Sequence, residues 1–112
     1  MKVLLVGASG FVGGRLSDYL KKKNLKIINV SRRNKFNFLK INWNSEKNIN
    51  NLCKNIDIVI NCSGLDIHGS KDKNKTFTAN SKNPLKLLKA ANLNNVKFFI
   101  HIITKRALGC CY

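Results

Sequence analysis

The strongest constraint in this chain is a run of residues near its start. Lys2-Val-Leu-Leu-Val6 is a short, unbroken apolar segment that stops at Gly7, and Gly7-Ala-Ser-Gly10-Phe-Val-Gly13 follows it directly. An unbroken apolar run of this length fits a strand buried on both faces of a parallel sheet. Val12, Leu16, Tyr19 and Leu20 then recur at one-face helical spacing, and the segment ends in Lys21-Lys22-Lys23-Asn24, which suits the negative C-terminal end of a helix. Strand, glycine turn and helix in that order form the setting that a dinucleotide-binding loop requires. Gly7 permits the tight turn out of the strand, Gly10 lets backbone approach a pyrophosphate, and Gly13 lets the helix pack near the sheet. The helix N-terminus then offers free N–H groups and partial positive charge to phosphates. No Gly-Lys-Ser/Thr follows, so the turn is not a P-loop. A glycine-rich turn without a ligand is the alternative.

The rest of the chain continues the alternation. Lys26-Ile-Ile-Asn-Val30, Asp57-Ile-Val-Ile60 and Lys97-Phe-Phe-Ile-His-Ile-Ile103 read as further strands, with a weaker one at Phe38-Leu-Lys-Ile41. Glu46 to Asn55 reads as a short helix through Ile49 and Leu52. Leu85, Leu88 and Ala91, flanked by Leu87 and Leu93, mark another that ends at Asn94-Asn95. Residues 66–75 read as a polar loop. Pro84, the sole proline, either begins the last helix's second half or kinks a helix begun near Phe77. The order β-α-β-β-α-β-loop-α-β implies an α/β fold with a parallel sheet.

Composition narrows the classes. The chain has 112 residues, 21 Lys+Arg and 5 Asp+Glu, for a net charge of +16. That length suits one domain, and 44% hydrophobic residues exclude a disordered basic tail. No apolar run reaches the roughly 18 residues of a membrane span, and Met1-Lys2 leads into a strand rather than a signal peptide. The charge raises the possibility of a basic nucleic-acid-binding protein. However, Lys, Asn (17 residues) and Ile are all favoured by A/T-rich codons, so it reads mainly as compositional bias. Phe36 and Phe38 near Arg32, Arg33 and Lys35 are the nearest approach to interleaved aromatics, and a turn into a strand explains them better. Cys53, Cys62, Cys110 and Cys111 form no C-x-x-C pair, and His68 and His101 complete no ligand spacing. No metal site is expected, and reduced thiols in a cytoplasmic protein are the default.

The G-x-x-G-x-x-G spacing resembles the short-chain dehydrogenase/reductase superfamily, and more narrowly its extended branch, the NAD-dependent epimerase/dehydratase family acting on nucleotide sugars. Asp57-Ile-Val-Ile-Asn-Cys-Ser-Gly64 is similar to that family's fourth strand, D-x-V-x-x-x-A-G. Ala79-Asn80 with Leu85-Lys-Leu-Leu-Lys-Ala-Ala91 resembles its N-x-x-G-T-x-N-L-L-E-A-A helix, although Asn83-Pro84 stands for Gly-Thr. Val96-Lys-Phe-Phe-Ile-His-Ile-Ile-Thr104 resembles its fifth strand, and the likeness covers about residues 2–104. It implies a Rossmann-type doubly wound parallel sheet of about five strands in the order 3-2-1-4-5, incomplete as it stands. Residues 1–104 would form the NAD(P)-binding domain and 105–112 a divergent tail. The fifth strand would then be an exposed edge carrying Phe98, Phe99, Ile100, Ile102 and Ile103, prone to aggregation or homodimerisation.

For the cofactor, the resemblance points to Gly7, Ser9, Gly10, Phe11, Val12 and Gly13 in the loop, and to Cys62, Ser63, Gly64 and Asn80 beside it. Cys62 stands for a small residue there, with no thiol chemistry. An NAD-selective sheet ends its second strand on an acid that binds the ribose 2′-OH, whereas this chain reads Val30-Ser-Arg-Arg-Asn34. A guanidinium can grip a 2′-phosphate bidentately. NADP is therefore preferred over NAD, with Arg32 first, Arg33 second and Ser31 as a hydroxyl partner, or else both arginines are solvated surface. Asn42 could bond the adenine amino group, and Trp43 either lines the adenine pocket or fills core. Thr104 matches the family's substrate-orienting Ser/Thr. The family's Tyr-x-x-x-Lys acid/base pair is absent, since Tyr19 lies with core-facing residues and Tyr112 has no Lys four residues on. A truncated or frame-disrupted nucleotide-sugar epimerase, dehydratase or reductase is the expected identity, with sugar substrate only in a full-length form. A genuine short protein, such as a non-catalytic NADP(H)-binding sensor module, is the alternative.

Overall fold

A computed structural model describes residues 1–33, 37–64 and 73–102. Its strands are β1 (Lys2–Val6), β2 (Lys26–Ser31), β3 (Leu39–Lys40), β4 (Ile58–Asn61) and β5 (Phe98–His101). Its helices are α1 (Phe11–Lys21), α2 (Glu46–Leu52), α3 (Lys73–Phe77) and α4 (Asn83–Leu93), with a π-helical turn over Thr78–Lys82 joining the last two. The strands form one sheet in the order β3-β2-β1-β4-β5, and every pairing is parallel. This is a Rossmann-like sheet with the expected strand order.

The central strand explains the layering. Successive side chains of a strand point to opposite faces, and in β1 both sets are buried. Leu4 and Val6 join Val30, Ile49, Val59, Leu87, Ala90 and Ala91 beneath α2 and α4. Val3 and Leu5 join Ala8 and Ile60, against which Leu16 and Leu20 of α1 pack. At the strand's start, the Lys2 N–H donates to Asp57 Oδ2 at 2.8 Å. β5 closes one edge. Its Phe99 packs on the α2/α4 side, while Phe98 and Ile100 remain exposed on the other. No helix among the described residues is long and apolar enough to cross a membrane.

Two helix faces differ from the apolar-residue reading. In α1 the buried residues are Gly13 and Ser17, while Val12 and Tyr19 are exposed, so Tyr19 is not a core residue. Instead, the Lys23 ammonium lies 5.0 Å from its ring centroid. Ser17 Oγ donates to Asn29 Oδ1 at 3.0 Å, tying the helix to β2. In α4 the buried stripe is Asn83, Pro84, Leu87, Ala90 and Ala91, and Leu85 and Leu88 face outward. In α1 the small Gly13 and Ser17 permit a close approach to the sheet where large side chains would not.

Pro84 sits in the first turn of α4. Proline lacks an N–H, and its ring clashes with the carbonyl four residues back. The π-helical turn just before it supplies a wider i→i−5 bond from the Asn83 N–H to the Thr78 carbonyl. Residues 73–75, expected in a loop, are helical. The remainder of that loop, 66–72, lies outside the described residues. Asn24, Asn55 and Asn95 adopt positive φ just beyond α1, α2 and α4. Asparagine is the side chain after glycine best suited to such helix stops, so part of the Asn-rich composition has a structural use.

The α4 phase is directly testable. Leu87→Ala should lower unfolding free energy by about 2–5 kcal/mol, the usual cost of emptying a buried leucine site. Leu85→Ala should stay within about 0.5 kcal/mol, as exposed substitutions do. Urea denaturation followed by circular dichroism reads both.

Candidate functional site

The C-terminal ends of β1, β2 and β4 meet at one side of the sheet. The Gly7 and Ala8 N–H groups both donate to the Val30 carbonyl, at 2.9 and 3.2 Å, which turns the chain sharply at the end of β1. Gly7 has φ +84°, and a Cβ there would lie 2.6 Å from the Ser63 backbone nitrogen. A Cβ on Gly13 would lie 2.1 Å from the Gly7 carbonyl oxygen. These two glycines therefore exist for backbone crossings within the protein. Gly10 differs, since a Cβ there would meet only the Gly7 carbonyl oxygen, at 3.4 Å. Gly10 is also the N-cap of α1 and supplies no side-chain cap. The first-turn N–H groups, which no helical carbonyl can satisfy, thus open at the glycine turn.

A cleft of about 300 Å³ lies over this turn, lined by Val6, Gly7, Ser9, Gly10, Ser31, Arg32, Arg33, Ile41, Trp43, Cys62, Ser63, Gly64, Ala79 and Asn83. Ten of these are residues that the sequence singles out for a dinucleotide: Gly7, Ser9, Gly10, Ser31, Arg32, Arg33, Trp43, Cys62, Ser63 and Gly64. The other expected residues lie outside the lining. Gly13 serves the helix crossing. Phe11 is exposed, with the Arg15 guanidinium stacked 4.3 Å from its ring centroid, and Val12 is exposed too. Asn80 packs beside Gly64, where its Oδ1 would lie 2.7 Å from an added Cβ. Asn42 folds onto its own segment, its Oδ1 accepting the Asn44 N–H at 3.0 Å. Thr104 and the 105–112 tail lie outside the described residues.

Hydrogen bonds hold the rim in shape. Ser31 Oγ accepts the Arg33 N–H at 3.0 Å and lies 2.9 Å from Ser9 Oγ. The Ser31 hydroxyl therefore shapes the arginine turn and links it to the glycine loop, which limits its use as a phosphate partner. Asn61, fully buried, organises the β4 exit. Its Oδ1 accepts the Ser63 N–H at 3.0 Å and the Ser63 hydroxyl, and its amide nitrogen lies 3.1 Å from His101 Nδ1. Burial holds the His101 pKa below its ordinary 6.5. A neutral imidazole can present Nδ1 as the acceptor, whereas the protonated ring would offer only donors. Burial also raises the Cys62 thiol and pushes Cys53 up to about 11, so neither is a ready thiolate near neutral pH.

Asn61, His101 and Asn83 have no role in the sequence analysis above. The usable signal for the first two is a polar residue directly after one apolar strand run and another inside a second run, because a buried polar group needs a partner. They occupy paired positions in the parallel register of β4 and β5.

A family model described as the NAD dependent epimerase/dehydratase family matches residues 3–111. No curated protein matches the sequence. Among solved structures, an Agrobacterium tumefaciens short-chain dehydrogenase/reductase superfamily protein with bound NAD superposes at TM-score 0.80 and 16% identity, over 94% of this chain and 33% of its own. MoeE5 in complex with UDP-glucose and NAD gives 0.76 and 23%, over 90% and 36%. A mutant UDP-glucuronic acid 4-epimerase from Bacillus cereus, in complex with a fluorinated UDP-glucuronic acid and NAD, gives 0.73 and 23%, over 94% and 40%. The chain thus spans a third to two fifths of these proteins.

The glycines should separate by role. Gly13→Ala forces a backbone shift and should cost about 1–3 kcal/mol of stability, as overpacking does. Gly10→Ala should stay within about 1 kcal/mol, because a poorer N-cap is offset by a stiffer unfolded chain. Equal losses in parallel urea titrations would contradict this division.

Proposed function

Because the chain belongs to the NAD-dependent epimerase/dehydratase family, we propose that its 112 residues form the dinucleotide-binding part of a nucleotide-sugar epimerase, dehydratase or reductase, with NADP(H) preferred over NAD(H). The observation that carries this reading is the cleft over the glycine turn, where Arg32 and Arg33 stand at the end of β2 in place of an acid. The residues fit such a ligand. Gly10 leaves room for the pyrophosphate to approach backbone, the α1 N-terminus faces it, and Ile41 and Trp43 offer an apolar wall to the base. Arg32 also lines an adjoining cavity of about 430 Å³ with Asn74, Lys75, Thr78, Ala79 and Asn83. That cavity offers both space and cationic and hydroxyl groups for an additional phosphate.

When bound, the dinucleotide would supply hydride exchange at its nicotinamide. The contributions of this chain are binding and orientation. The Asn61–Ser63–His101 bonds fix the β4 exit along the cofactor's length, and the Ser9–Ser31 contact locks the loop to the arginine turn. The one Tyr-x-x-x-Lys spacing in the sequence, Tyr19 to Lys23, falls at the C-terminal end of α1, and neither residue lines the cleft, so we assign the cleft residues cofactor binding rather than turnover. UDP-sugar ligands in two of the structural neighbours support a nucleotide-sugar substrate class for the protein of which this binding unit is characteristic. The free thiols Cys53 and Cys62 agree with a reducing, cytoplasmic location. The uncovered Phe98 and Ile100 on β5 are the surface through which copies of the chain would pair.

Fluorescence titration should show NADPH binding at least about tenfold tighter than NADH. Arg32→Ala should remove most of that margin, since a hydrogen bond to a charged group is worth about 1.5–3 kcal/mol, or roughly ten- to a hundredfold. A folded protein that binds neither nucleotide would overturn the assignment. NADH binding tighter than NADPH would overturn the cofactor preference alone.

A further inference from the structure

Among the described residues, one buried polar atom of the cleft has no hydrogen-bond partner. It is Oδ1 of Asn83, a residue only 9% exposed, which accepts no hydrogen bond from any described residue. Such an orphaned buried acceptor costs about 1–3 kcal/mol, so it calls for an explanation. Its position is held from two sides. The Asn83 N–H bonds the Thr78 carbonyl across the π-helical turn, with Pro84 immediately after. One turn further along α4, Lys86 Nζ donates to the Trp43 carbonyl at 3.0 Å, fastening this end of the helix to the segment that carries Trp43. Asn83 therefore lines both the cleft that includes Ile41 and Trp43 and the adjoining cavity of Arg32 and Lys75.

We propose that Asn83 is a base-reading residue whose Oδ1 accepts a hydrogen bond from the exocyclic amino group of the cofactor's adenine. The proposal rests on the dinucleotide reading above. An unpaired acceptor requires a donor, which a 2′-phosphate dianion lacks; the donors of the adenosine half are its ribose hydroxyls and the adenine amino group, and Ile41 and Trp43 in the same lining favour the base. Apolar side chains suit the faces of a base, and the adenine amino group is the only donor on that ring. Asn42, the residue to which the family resemblance assigns this contact, already receives the Asn44 N–H and does not line the cleft. The base-reading acceptor has thus moved from the strand side to the first turn of α4, where Asn83-Pro84 stands in place of Gly-Thr.

The test compares NADPH with its hypoxanthine analogue, in which a carbonyl replaces the amino group, by fluorescence titration of the whole chain. The unsubstituted protein should bind NADPH at least about tenfold tighter than the analogue, because the analogue sets acceptor against acceptor. Asn83→Ala should reduce that ratio to within about twofold, and Asn83→Asp, which keeps an acceptor, should retain it. The ratio is taken within each variant, so a general loss of affinity or stability does not mimic the effect. If Asn83→Ala cannot be obtained folded, the unsubstituted protein and Asn83→Asp still decide, since equal binding of the two nucleotides by either would overturn the proposal. An undiminished ratio in Asn83→Ala would also overturn it while leaving the dinucleotide reading intact. Folded protein that binds neither nucleotide would overturn both.

Discussion

Everything at the candidate site depends on one backbone crossing. The Gly7 carbonyl lies where any side chain at position 13 would clash, and the Gly7 α-carbon lies where any side chain would strike the Ser63 backbone. The end of β1, the start of α1 and the exit of β4 are therefore in direct backbone contact. That contact sets the α1 N-terminus over the end of the sheet and brings residues 62–64 alongside the glycine turn. The cleft is what remains in front of these crossings. Its polar rim is then fixed by short links, Ser9 to Ser31 on one side and Asn61 to Ser63 and His101 on the other.

Much of this was legible in the chain because apolar runs and glycine spacing are direct consequences of a doubly buried parallel sheet. The strand order and the convergence of Gly7, Gly10, Ser31, Arg32, Trp43 and Cys62–Gly64 follow from them. The helix faces were less legible for a physical reason. A helix crossing close to a sheet favours small side chains at the contact, so the buried stripes run through Gly13 and Ser17 and, around the single large Leu87, through Asn83, Pro84, Ala90 and Ala91. A pattern built on large apolar residues selects Tyr19, Leu85 and Leu88, which face outward. Asn42 shows the same limit at a finer scale, because whether a side-chain carbonyl serves a ligand or its own turn depends on backbone geometry that residue type does not encode. Asn83 shows the converse, an unremarked polar residue made significant by burial without a partner.

The charge acquires a more specific meaning from the structure. Most lysines lie on outer surfaces, and several cluster at helix ends next to the asparagines that stop those helices. The cations that bear on the cleft are few. Arg32 and Arg33 stand at its rim, and Lys75 lies with Arg32 around the adjoining cavity. A chain this basic attracts polyanions without any site, so dinucleotide recognition has to be judged by where a ligand acts rather than by binding alone.

Amide hydrogen exchange with and without saturating NADPH locates that action most directly, since protection reports local opening residue by residue. The account predicts slowed exchange concentrated at residues 7–13, 31–33, 62–64 and 79–83, with residues 46–52 of α2 unchanged. Protection absent from the glycine turn, or spread evenly over the lysine-bearing surface, would contradict it.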